Sequence, residues 1–73
     1  MDWNQIVAAN VRLRRSELNM TQERLALDSN LDLTYIGGIE RGRRNPTVKA
    51  LGQIATALGV TPADLLRPQA FER

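Results

Sequence analysis

Apolar positions along this chain fall into five short groups at helical spacing, separated by polar residues of the kinds that start and stop helices. Ile6, Val7, Val11 and Leu18 predict a first helix over residues 4–18, ended by a left-handed Asn19. Arg14 falls on that stripe, beside Leu13. Either its aliphatic stem lies along the core edge with the charge kept in water, or the helix is rotated slightly. Trp3 reads as a core-edge aromatic placed to staple the amino end to the domain. Thr21 is a good N-cap for a second helix over 22–28, with Leu25 and Ala26 facing inward and Asn30 as its left-handed stop. Leu31 should tuck under the turn, and Asp32 caps a third helix over 33–41 whose inner face is Ile36 and Ile39. Gly42 closes that helix. After the loop Arg43-Arg44-Asn45-Pro46, Thr47 caps a fourth helix with the stripe Val48, Leu51, Ile54, Ala55 and Leu58, stopped by Gly59. Thr61-Pro62-Ala63-Asp64 is a strong start signal for a short fifth helix completed by Leu65 and Leu66, and Pro68 ends it. No stretch alternates as a strand does. The expected fold is all-α: a compact five-helix domain over residues 1–68 with a central helix-turn-helix, followed by a loose tail, 69–73, whose one sticky residue is Phe71.

Composition narrows the chemistry. Seventy-three residues suffice for one domain, and a domain of this size buries only about 60% of its unfolded surface, so a partner subunit would help it. The absence of cysteine and histidine removes disulfides, thiol nucleophiles, imidazole acid–base chemistry and the usual zinc ligands. No glycine-rich phosphate loop and no paired carboxylates in a plausible cleft suggest an enzyme. No apolar run approaches the ~20 residues of a membrane span. The expectation is a cytoplasmic, non-enzymatic protein without metal, cofactor, membrane contact or small-molecule ligand. Net charge is only +2, but between Arg41 and Ala63 there are four basic residues and no acid. That asymmetry is the footprint of a phosphate-binding face, with a solvated basic loop as the bland alternative.

The adjacent Gly37 and Gly38 sharpen this picture. Each costs roughly 1 kcal/mol in a helix interior relative to alanine, and a helix that accepts the loss usually gains close approach to something. Gly37 should lie on the outer face; Gly38 is placed equally well for close packing against another helix. Thr21-Gln22-Glu23 and Tyr35-Ile36-Gly37-Gly38-Ile39-Glu40-Arg41-Gly42, taken with ALGVTPADLL, resemble the phage-repressor and Cro family of helix-turn-helix proteins, also called the XRE family. The resemblance covers about residues 5–66. Within the family it is similar to the controller proteins of restriction–modification systems.

The resemblance implies a lambda-repressor-like fold and a sequence-specific regulator that binds double-stranded DNA as a homodimer on a (pseudo)palindromic operator. It implies base-facing roles for Leu33, Thr34, Tyr35 and Gly37. It implies backbone contacts from Gln22, Arg41, Arg43, Arg44, Asn45, Thr47 and Lys49, and a structural ion pair between Arg15 and Glu40. Controller relatives often carry arginine where this chain has Leu33 and serine where it has Gly37, so direct base reading should be sparse and DNA shape more important. Apolar residues at the fifth helix, Val60, Ala63, Leu65 and Leu66, offer a pairing surface; of Leu65 and Leu66, one should be core and the other interface. Glu23 and Asp28 on the second helix offer RNA polymerase a place to bind, against the plainer reading of solvated helix charges. Beside the controller stand two other readings: a small phage-type repressor, and an antitoxin whose main partner is a toxin protein.

Overall fold

Four of the five described residues with positive φ divide the helices: Asn19 (52°), Asn30 (58°), Gly42 (73°) and Gly59 (69°) each follow the end of a helix. Between them, the computed structural model, which describes residues 1–72, forms five helices: α1 (Trp3–Glu17), α2 (Gln22–Ser29), α3 (Leu33–Glu40), α4 (Val48–Leu58) and α5 (Pro62–Leu66). Each start is held by a side-chain cap. Thr21 Oγ1 accepts from Arg24 N–H, Asp32 Oδ2 from Thr34 N–H and Thr47 Oγ1 from Ala50 N–H, all at 3.0 Å. Thr61 and Asp64 form a reciprocal capping box at α5, with Pro62 at the first helical position.

The helices pack so that α1 rests on α3 and α5, α2 on α3 and α4, and α4 on α5. The core between them is built from Val7, Val11, Leu25, Ile36, Ile39, Leu51, Ile54, Ala55, Leu58 and Leu65. Ala26 is small and buried where α2 meets its neighbours, and Leu31 and Tyr35 pack against the core from its edge. Arg14 keeps its place on the α1 stripe by bonding outward: its Nε donates to the Leu58 carbonyl at the end of α4 (3.0 Å) and its Nη1 pairs with Glu17.

Four expectations are corrected. Val48 is 87% exposed, because it occupies the first turn of α4, beyond the reach of the core, and Ala50 takes its place on the buried face. Leu18 is exposed too, as the C-cap of α1. Trp3 is half exposed and borders a surface groove with Asn4 and Asn45 instead of stapling onto the core. Phe71 is not on a loose tail: turns at Ala70 and Glu72 bring it back onto the core, where it lines a groove with Leu13 and Ser16. Among the described residues, no helix is long and apolar enough to cross a membrane.

Candidate nucleic-acid interface

The outer face of α3, the loop after it and the first turn of α4 form one continuous surface, and specific contacts join its parts. Tyr35, half-buried, accepts a hydrogen bond at its hydroxyl from Thr47 N–H (3.3 Å), tying the middle of α3 to the cap of α4. Arg44 lays its aliphatic stem over Gly38; a Cβ there would lie 3.4 Å from Arg44 Cβ and closer still to its Cγ. The close approach at Gly38 is therefore to the arginine loop, not to another helix. At the loop's turn, Gly42 takes φ +73° and packs directly against the side-chain amide of Gln5, so α1 buttresses the loop from behind.

Arg41, Arg43, Arg44, Asn45, Thr47 and Lys49 are all exposed on this surface, as are Leu33 and Thr34. The only carboxylate between Leu33 and Ala63 is that of Glu40, and it is turned inward and neutralised. Gly37 is different from expectation. It lies on the outer side of α3 but is buried, because the Arg41 guanidinium folds over it: a Cβ on Gly37 would come within 3.0 Å of Arg41 Nη1. In the free protein the glycine floor is covered.

Behind the surface, Glu40 anchors α3. Its carboxylate receives a bidentate pair from Arg15 (Nε to Oε2, 2.8 Å; Nη2 to Oε1, 2.9 Å) and a third bond from Gln22 Nε2 (3.0 Å). The Glu40 hydrogen bonds raise the Arg15 pKa further above its ordinary value, so the guanidinium stays charged. Arg12 donates to the Glu40 backbone carbonyl as well. Gln22 thus commits one amide N–H to Glu40, leaving the second as a donor at the amino end of α2.

Two of these supports are not visible in the apolar pattern. Arg12 and Gln5 look like ordinary polar helix residues, and only the tertiary fold brings them to α3 and its loop. Asn10 does carry a signal: it is a polar residue on the buried side of α1, where it caps the end of α5 by donating to the Leu65 and Arg67 carbonyls, both at 2.9 Å. Among the described residues no cluster of carboxylates could hold a metal ion, and no buried side-chain nitrogen or oxygen lacks a hydrogen-bond partner.

At the expected pairing surface, Leu65 is fully buried in the core and unavailable to a partner, whereas Leu66, the next residue, is 40% exposed. A one-residue step on a helix turns the side chain by about 100°, enough to move it from core to surface. Val60 is half-buried and Ala63 exposed beside it.

Comparison with known proteins places this geometry. A family model described as Helix-turn-helix matches residues 11–65. The control protein C.SmaI of Serratia marcescens is 43% identical over 72 residues, covering 99% of this chain and 86% of the relative. The crystal structure of the restriction–modification controller protein C.AhdI from Aeromonas hydrophila superposes with a TM-score of 0.82 at 37% identity, covering 85% of this chain and 94% of that one. The restriction–modification controller protein C.Esp1396I, solved as a tetramer in complex with its natural 35 base-pair operator, superposes with a TM-score of 0.79 at 44% identity, covering 86% and 83%. The chain belongs to the phage-repressor and Cro-like (XRE) helix-turn-helix family of DNA-binding transcription regulators, with restriction–modification controller proteins among its relatives.

Proposed function

We propose that this protein is a homodimeric, cytoplasmic regulator that binds a (pseudo)palindromic operator and controls a restriction–modification operon together with its own expression. The observation that carries the reading is the acid-free surface formed by α3, the arginine loop and the start of α4. Thr34 and Leu33 supply a base-facing edge that suits a major groove: a hydroxyl for donor or acceptor contact and an apolar group for a thymine methyl. Arg43, Arg44, Asn45, Thr47 and Lys49, with the first turn of α4, suit the flanking phosphates. Gln22 contributes at the start of α2, and Tyr35 holds the two parts of the surface in register.

One such module contacts too little DNA for tight specific binding. Two modules related by a two-fold axis would place their α3 helices in successive major grooves about 34 Å apart. Leu66, Ala63 and Val60 are the apolar residues available for that pairing. The operator complex of C.Esp1396I supports the reading, because that relative assembles as a tetramer on its DNA. With Asp28 engaged by Arg24 at 3.0 Å, Glu23 is the more available acid on the outer face of α2 for a contact with RNA polymerase.

The reading is tested by footprinting the purified protein on the DNA upstream of its own gene. The expected result is a protected inverted repeat with half-sites one helical turn apart. Uniform, sequence-independent protection would contradict it.

A further inference from the structure

Thr34, Gly37 and Arg41 lie at successive intervals of three and four residues and so share one stripe on the outer face of α3. A helical side chain leans toward the amino end of its helix. Arg41, the C-cap of α3, follows this rule: its guanidinium reaches back over Gly37, and beyond the adjacent residues and the helix backbone the three atoms nearest to a Cβ at Gly37 all belong to that guanidinium, at 3.0 to 3.8 Å. Arg44 behaves differently, resting its stem on Gly38. Gly37, lacking a side chain, therefore leaves a flat seat for the charged head of Arg41 on the stripe that continues to exposed Thr34. On that edge Leu33 offers no hydrogen-bonding group and Thr34 only one hydroxyl. The guanidinium is a rigid fork of donors that matches the paired O6 and N7 acceptors of guanine.

We propose that Arg41 reads a guanine in the major groove from its seat on Gly37, instead of gripping a phosphate beside the arginine loop. The assignment rests on the reading of this surface as a DNA interface and adds the residue that discriminates.

The test begins with the operator selected by the native protein from random DNA. Affinities of the native protein and of Arg41→Lys are then measured for every single base-pair change in a half-site, at two salt concentrations. Lysine keeps the charge and loses the fork. The native protein is expected to lose roughly 5- to 150-fold in affinity when one particular G·C pair is replaced. Arg41→Lys should be nearly indifferent at that pair, keep its preferences elsewhere and retain the native salt dependence. The assignment is overturned if Arg41→Lys shows the native base preferences at every position. It is equally overturned if Arg41→Ala weakens all sites uniformly and lowers the salt slope by about one phosphate. Thermal melting of both variants confirms that they are folded, as expected for an exposed position. If the native protein enriches no sequence at all, the DNA-regulator reading itself fails, a result distinct from a native protein that reads a site without needing Arg41.

Discussion

At the scale of single residues, the Arg15–Glu40 pair decides whether α3 is held at its working angle. Glu40 is 2% exposed while Arg15 remains partly in water, so the two halves of the pair are not equivalent. Removing Arg15 leaves a carboxylate stranded in the interior; removing Glu40 leaves an arginine that can turn toward solvent. Breaking a buried pair from one side costs about 3–5 kcal/mol. Arg15→Ala should approach that range, and Glu40→Gln should cost clearly less, because it keeps the shape and much of the hydrogen bonding. Urea unfolding of the two variants gives the comparison; equal losses would mean that burial of the carboxylate is not the controlling factor. Gly42→Ala addresses the loop itself. A left-handed conformation costs an ordinary L-residue about 1–2 kcal/mol, and here a Cβ would also press on the Gln5 amide. The variant should lose at least that much stability in the same assay and should weaken DNA binding, because the arginine loop is seated on Gln5.

At the scale of elements, the starts and stops of the helices were legible in the sequence because they are local chemistry. Thr21, Asp32, Thr47 and Thr61 all cap as their positions imply, and Asn19, Asn30 and Gly59 take the left-handed conformations expected of them. What periodicity could not settle was how far each stripe is covered. Leu18 and Val48 continue an apolar pattern but sit at helix ends past the core, while Phe71 has no pattern of its own and is partly buried against the core by a turn in the chain behind it. In the candidate site, the arginine loop was legible from its charge, whereas the folding of Arg41 over Gly37 depends on side-chain direction. Helix α5 offers two checks on this account. Asn10→Ala removes the side-chain amide bonds to the Asp64, Leu65 and Arg67 carbonyls at the end of α5 and should cost about 1–3 kcal/mol, measured by denaturant unfolding. Asp64, held below the usual carboxylate range first by its hydrogen bonds with the Thr61 backbone and hydroxyl, and further by Arg67, supports the capping box more strongly when ionised. Its folded-state pKa is depressed, so its contribution is present above the ordinary carboxylate pKa of about 3.9 and is lost as pH falls through the lower folded value. The melting temperatures of the native protein and Asp64→Asn should therefore converge as the pH is lowered from 6 toward 2, and a constant gap would contradict the box.

At the scale of the whole molecule, a small domain with one basic face has little binding energy to spend except through phosphate contacts and pairing. The adjacent leucines of α5 separate folding from association. Leu65→Ala should destabilise the fold by about 2–5 kcal/mol as a core truncation. Leu66→Asp should leave the monomer folded while shifting sedimentation equilibrium toward it, and a folded dimer of that variant would place the interface elsewhere. DNA affinity of the native protein should fall with salt at a log–log slope of about −0.9 per phosphate neutralised. The most direct test of the central claim is selection of bound DNA from a random pool by the native protein. The account predicts enrichment of an inverted repeat whose half-site centres are one helical turn apart; a pool that stays random through successive rounds, or a single unrepeated motif, would contradict it.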